Sequence, residues 1–142
     1  MSGVRLAVRA LVLDAGRLLL VNAYPGEQSD LWCAPGGGVE AGASLEDNLR
    51  REVHEETGLH ASVGRPFHIG SIQRVIDENV DMHSVRIVYS ASVPQDSPQP
   101  RVIEVDGSTV DARWHNLDEV VDRRVPLVEW ARAAISAYHE SI

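Results

Sequence analysis

Residues 44–58, with the sequence SLEDNLRREVHEETG, constrain the fold more than any other stretch of the 142-residue chain. Ser44 is a typical helix N-cap, and Gly58 is a typical residue at the position that ends a helix. Between them, three apolar residues recur at helical spacing: Leu45, Leu49 and Val53. The stretch therefore predicts an amphipathic helix from about Leu45 to Thr57, with one face packed against a core.

The late turns of this predicted helix carry three glutamates, Glu52, Glu55 and Glu56. Carboxylates are unfavourable there because the helix C-terminus is the negative end of the backbone dipole. Like charges one turn apart also cost about 0.2–0.5 kcal/mol per pair. A hard divalent cation, Mg²⁺ or Mn²⁺, would remove this repulsion, since such ions bind carboxylate oxygens. A solvated acidic face is the alternative for this pattern taken by itself.

The rest of the chain shows mainly strand patterns. Apolar residues alternate from Leu6 to Val12, and Asp14–Arg17 predicts a hairpin turn before a second strand. Further strands are expected near residues 60–64, 67–76, 84–93 and 112–115, with an irregular proline-rich loop at 94–101.

Two further helices are expected after the loop. A short one should be capped by Asn116, and a C-terminal one should begin near Pro126. The buried side of the C-terminal helix should comprise Leu127, Ala131, Ala134, Ile135 and Tyr138. Strands and helices that do not strictly alternate predict an α/β (α+β) fold, a mixed β-sheet covered by helices. The length suits a single domain, residues 1–142.

Composition excludes several classes of protein. A net charge of −8 argues against binding to duplex nucleic acid, which needs a basic face. No apolar run approaches the ~20 residues of a membrane span, so no membrane partner is expected. Cys33 is the only cysteine, which excludes an internal disulfide framework and a cysteine-rich zinc site. Together with an N-terminus unlike a signal peptide, this predicts a cytoplasmic protein.

The segment GGVEAGASLEDNLRREVHEETGL, residues 37–59, resembles the signature box of the Nudix hydrolases. That box has a glycine, a glutamate six residues later, and then Arg-Glu-hydrophobe-any-Glu-Glu-any-Gly-hydrophobe. The matching positions are Gly37, Arg51, Glu52, Val53, Glu55, Glu56, Gly58 and Leu59. The flanking segments LWCAPGGG and DGSTVDARWHNLDEV also resemble the family. The resemblance implies the Nudix fold, a mixed β-sheet sandwiched between helices.

One box position departs from the family pattern, because Ala43 stands where the first glutamate is expected. In the family that glutamate commonly supports the box arginine, here Arg51. Asp47 lies one turn before Arg51 and is predicted to hold it instead. The departure leaves an alternative function open: a catalytically weak or inactive nucleotide-binding or regulatory Nudix domain.

The resemblance implies a divalent-metal-dependent pyrophosphohydrolase. Its substrate would be a nucleoside triphosphate, or a nucleoside diphosphate linked to another group. Glu52 and Glu56 would be the principal Mg²⁺ or Mn²⁺ ligands, with Glu55 close by and the Gly36 carbonyl contributing. All three glutamates are candidate catalytic residues. Glu52 is the candidate for activating the water, and a loop acid, Glu104 or Asp106, is the alternative.

Two aromatic residues and one acid are candidates for substrate binding. Trp32 and Tyr24 are candidates for stacking a base or sugar, since aromatic faces bind nucleobases well. Partial core packing is the alternative for both. Glu104 is a further candidate at the substrate. A homodimer is expected from the resemblance alone.

Overall fold

The structure, a computed structural model, describes residues 3–22, 31–104, 109–123 and 125–141. Its elements in chain order are β1 (Val4–Asp14), β2 (Arg17–Asn22), β3 (Gly36–Gly38), α1 (Leu45–Thr57), β4 (Ser62–Ile76), β5 (Asn79–Ser92), β6 (Asp111–Asn116), α2 (Leu117–Val121) and α3 (Glu129–Ser141). The bounds predicted for α1 are confirmed. Ser44 caps it by accepting a hydrogen bond from the Asp47 N–H (3.1 Å), and Gly58 ends it in the left-handed conformation at φ 75°.

The strands form one mixed sheet in the order β4-β5-β1-β2-β6, and β3 pairs with β1 beside this path. Residues 4–12 of β1 run parallel to residues 83–91 of β5. The other pairings are antiparallel. The mixed sheet expected from the sequence is therefore confirmed.

Helices cover both faces of the sheet. On one face, residues of β1 and β2 pack under Leu49 and Val53 of α1. On the other face, Leu11, Leu18 and Leu20 meet α2 and α3. Fully burying one such side chain contributes about 1.5–3 kcal/mol, so these two layers fix each helix on the sheet. The layer under α1 places the glutamate-rich flank of that helix beside β3.

Three elements differ from the sequence-based expectations. β4 is one strand where two were expected, and it accommodates Pro66 through register shifts on either side of that residue. β3 was not expected, because glycine has little preference for strands. α3 begins at Glu129 rather than near Pro126, so Leu127 is buried but not helical.

Residues 126–128 explain the late start of α3. The Trp32 N–H donates to the Pro126 carbonyl (2.9 Å), and the Val128 N–H donates to the Trp32 carbonyl (3.0 Å). This extended pairing uses the backbone groups that a helix start would otherwise need. Within the described residues, we find no helix with the length and apolarity that crossing a bilayer requires.

Candidate active site

Glu56 is the most buried acid of the site, with 5% of its surface exposed. Its Oε2 accepts a hydrogen bond from the backbone N–H of Gly36 (3.0 Å). Burial raises the pKa of Glu56 to about 7, although the Gly36 N–H, the positive charge of Arg9 and the Thr109 side chain lower it. This carboxyl group therefore changes its charge near neutral pH.

Glu52 packs directly on the backbone of β3. A Cβ added at Gly37 would lie 2.8 Å from Glu52 Cδ and 2.9 Å from each of its carboxylate oxygens. Only glycine permits this approach. Burial raises the pKa of Glu52, and the negative charges of Glu55 and Glu104 raise it further.

The other side of β3 faces β1 equally closely. Gly36 has φ 148°, and a Cβ there would lie 2.0 Å from the Val8 carbonyl oxygen. Arg9 reaches this strand with Nη1, which donates to the carbonyls of Ala34 (3.2 Å) and Gly36 (3.1 Å). The Gly36 backbone thus contacts a carboxylate through its N–H and a guanidinium through its carbonyl.

Glu55 connects α1 to the loop that follows β5. Its carbonyl accepts hydrogen bonds from the N–H groups of Ile103 (2.9 Å) and Glu104 (3.0 Å). Its side chain is about one-third exposed, and its Oε1 lies 3.9 Å from Nε of Arg51. The exposed Glu104 is brought beside the site, where its charge acts on Glu52.

The partner of Arg51 was wrongly predicted. Asp47 pairs with Arg50, whereas Arg51 Nη1 donates to Glu40 Oε2 (2.7 Å). Asp47 and Arg50 lie one turn apart on the solvent side of α1, so Asp47 is already engaged. Glu40 lies in the loop before the helix, where no helical spacing rule could identify it. Its hydrogen bond is the main reason that the pKa of Arg51 is raised.

The other residues proposed from the sequence do not lie among the contacts described above. Trp32 is half-buried against the α3-side core, and its ring stands edge-on to His115 with centroids 4.5 Å apart. Tyr24 and Asp106 lie outside the described residues. Arg9 and Thr109 were missed, because an arginine within a strand and a loop threonine carry no sequence signal for such a role.

Two carboxylates of the site are placed where a cation could bind. Among residues 3–22, 31–104, 109–123 and 125–141, no group of three or more His, Cys, Asp or Glu side chains is arranged so that it could hold a metal ion. Glu52 and Glu56 approach the same glycine strand, which brings two carboxylates together at β3. Mg²⁺ is commonly held by one or two carboxylates and completed by water and substrate phosphates. These residues therefore fit such an ion.

Known proteins resemble this chain over most of its length. The family model described as NUDIX domain matches residues 3–138. The chain belongs to the NUDIX domain family. The resemblance and the Nudix fold predicted from residues 37–59 are confirmed, and so is the assignment as a Nudix-type hydrolase.

One relative and two solved structures are similar to this chain. An oxidized purine nucleoside triphosphate hydrolase from Mus musculus is 30% identical over 123 residues, 84% of this chain and 71% of that protein. A NUDIX hydrolase from Nitrosomonas europaea has a TM-score of 0.78 at 23% identity, covering 96% of this chain and 89% of the other. The NUDIX domain of Shewanella oneidensis NrtR, complexed with ADP ribose, has a TM-score of 0.72 at 21% identity, covering 99% and 90%.

Proposed function

We propose that this NUDIX hydrolase cleaves a phosphoanhydride bond with Mg²⁺ or Mn²⁺ held by Glu52 and Glu56. The substrate class is a nucleoside triphosphate, or a nucleoside diphosphate linked to another group. The observation that carries the proposal is that two carboxylates of helix α1, Glu52 and Glu56, both pack against the glycine strand β3. Burial raises the pKa of both groups, which means that their charged forms are destabilised in the metal-free protein. A bound cation would stabilise those charged forms.

The relatives support the two substrate classes. The Mus musculus protein is named as a hydrolase of oxidized purine nucleoside triphosphates. The NrtR domain was solved with ADP ribose, in which a nucleoside diphosphate is linked to a sugar. Both ligands contain the phosphoanhydride bond that the proposed reaction would break.

Each residue of the site has a proposed role. Glu52 and Glu56 are the principal metal ligands, with Glu55 close by and the Gly36 carbonyl contributing. A divalent cation bound there supplies charge neutralisation for the phosphates and lowers the pKa of water. Glu52 is the proposed acceptor of the proton from the attacking water, a role carried over from the family resemblance. Glu104 is the alternative base.

Two arginines support a polyphosphate ligand. Arg9 and Arg86 lie on the same face of the neighbouring strands β1 and β5. Burial and the positive charge of Arg9 lower the pKa of Arg86, so the two guanidinium groups are close enough to repel each other. Guanidinium groups bind phosphate well, so the polyphosphate of the substrate is proposed to lie next to these two side chains.

A second candidate function is nucleotide binding without turnover, and Ala43 is the observation that favours it. We further propose a single domain spanning residues 1–142 and a cytoplasmic location. A homodimer is proposed from the family resemblance, and light scattering on the purified protein would test it.

The decisive experiment compares hydrolysis by the wild type, Glu52→Gln and Glu46→Gln. Glu46 lies in the exposed first turn of α1, so its change removes the same charge away from β3. The substrate panel contains nucleoside triphosphates with normal and oxidised purines, ADP-ribose and dinucleoside polyphosphates. Released phosphate and pyrophosphate are measured with Mg²⁺, with Mn²⁺ and with a chelator.

The possible outcomes separate the candidate functions. Metal-dependent release by the wild type and Glu46→Gln, lost in Glu52→Gln, supports the hydrolase. Tight nucleotide binding without cleavage by the wild type supports the second candidate. A wild type that binds neither Mn²⁺ nor nucleotide refutes both.

A further inference from the structure

Arg51 contacts the proposed metal ligand Glu52 on one side and Glu40, which is not a proposed ligand, on the other. Its Nη2 donates to Glu52 Oε1 (3.2 Å), and its Nε lies 3.9 Å from Glu55 Oε1. Its Nη1 points the other way and donates to Glu40 Oε2 (2.7 Å). The guanidinium group is therefore held between the site and the loop that precedes α1.

Asn48 fixes the same loop to the helix. This side chain is buried, and its Oδ1 accepts hydrogen bonds from the Glu40 N–H (3.0 Å) and from Arg51 Nη2 (3.3 Å). Its Nδ2 donates to the carbonyls of Ser44 (2.8 Å) and Ala43 (3.3 Å). Glu40 thus approaches Arg51 from an anchored backbone, although the Glu40 side chain itself is 70% exposed.

The bond to Glu40 limits how Arg51 meets Glu52. A guanidinium group prefers to bind a carboxylate through two parallel hydrogen bonds. Here one of its terminal nitrogens is occupied by Glu40, and Glu52 receives a hydrogen bond at Oε1 from the other. Loss of the Glu40 carboxylate would free Nη1 to turn toward Glu52, where it would compete with a cation for the same oxygens.

We propose that Glu40 is a positioning residue that holds Arg51 so that Glu52 faces the cation, a role that the Nudix box gives to a glutamate at position 43. The inference rests on the proposed function. Ala43 is exposed, and its carbonyl is bound by Asn48, so position 43 adjoins the same network. A glutamate introduced there has room and lies beside the residue that already contacts Arg51.

The test measures Mn²⁺ affinity by calorimetry, together with kcat and KM on the best substrate of the panel. Four proteins are compared: wild type, Glu40→Gln, Asp47→Asn, and the double variant Glu40→Gln with Ala43→Glu. Asp47→Asn is the matched control. It removes one carboxylate from the exposed ion pair between Asp47 and Arg50 on the same helix and leaves the contacts of Arg51 unchanged. Thermal unfolding with a chelator confirms that each variant is folded.

Glu40→Gln is expected to weaken Mn²⁺ binding about tenfold, the lower end for residues that orient metal ligands, because Glu40 is solvent-exposed. Its kcat should fall while KM changes little, since the proposed role of Glu40 is to position Arg51 and, through it, Glu52. Asp47→Asn should change Mn²⁺ affinity by less than about twofold, as surface ion pairs contribute little. The double variant should regain most of the lost affinity.

Three results would overturn the inference while leaving the hydrolase intact. Glu40→Gln could bind Mn²⁺ like the wild type, Asp47→Asn could lose as much affinity, or the double variant could recover none. In each case Glu40 would not act as proposed. A wild type that neither binds Mn²⁺ nor hydrolyses any substrate would instead refute the proposed function itself.

Discussion

Glu56→Gln should stabilise the metal-free protein, and the gain should grow with pH. Glu56 is buried, and its pKa is raised from an ordinary 4.5 to about 7. At a pH between these two pKa values, the Glu56 carboxyl group keeps its proton in the folded state and releases it in the unfolded state. The free energy of unfolding of the wild type therefore falls as pH rises from about 4.5 to about 7, and then levels off.

The size of the effect follows from that interval. A shift of one pKa unit corresponds to about 1.4 kcal/mol, so a change from 4.5 to about 7 gives a loss of about 3 kcal/mol at pH 8. The raised pKa of Glu52 acts in the same direction. Glutamine at position 56 has no charge to desolvate, and its side-chain oxygen is able to accept the hydrogen bond from Gly36.

Urea unfolding at pH 5 and pH 8 with a chelator measures the difference. Glu56→Gln should gain up to about 3 kcal/mol over the wild type at pH 8 and little at pH 5. Glu55→Gln is the control, because that side chain is on the same helix and one-third exposed. A gain for Glu56→Gln that is equal at both pH values, or matched by Glu55→Gln, would refute the assignment of the effect to a buried charge.

Three further predictions concern the same site. Mn²⁺ affinity measured by calorimetry should rise up to about tenfold per pH unit below about 7 and then level off, because Glu56, as a proposed ligand, would have to lose its proton to bind metal. Gly37→Ala should weaken Mn²⁺ binding about 10- to 100-fold by displacing Glu52, whereas Gly38→Ala, with nothing within 4 Å of the added Cβ, should retain it. Arg9→Gln should move the pH midpoint of Mn²⁺ binding upward, because it removes a positive charge that lowers the pKa of Glu56; an unchanged midpoint would contradict this.

The helix that carries the site was predictable because its determinants are local. Ser44, Gly58 and the apolar spacing between them fix both ends of α1 without help from the rest of the chain. The flank on which Glu52 and Glu56 lie also follows from helix geometry alone. Those features needed no knowledge of the fold.

The contacts around the glutamates were less predictable because they join distant parts of the chain. Glu40 meets Arg51 across a loop, and Arg9 reaches Gly36 from another strand. No spacing rule links such pairs. The late start of α3 has the same cause, since the pairing of residues 126–128 with Trp32 overrides the preference of Pro126 for a first helical turn.

The parallel pairing of β1 with β5 sets an order for folding. Residues 4–12 gain these hydrogen bonds only after residues 83–91 have been brought back alongside them. The entropy of closing that long loop opposes the pairing, whereas α1 and the β1–β2 hairpin depend on near neighbours. Pairing of β1 with β5 is thus the expected slow step of folding. Only after it forms can the apolar side of α1 pack against a complete sheet.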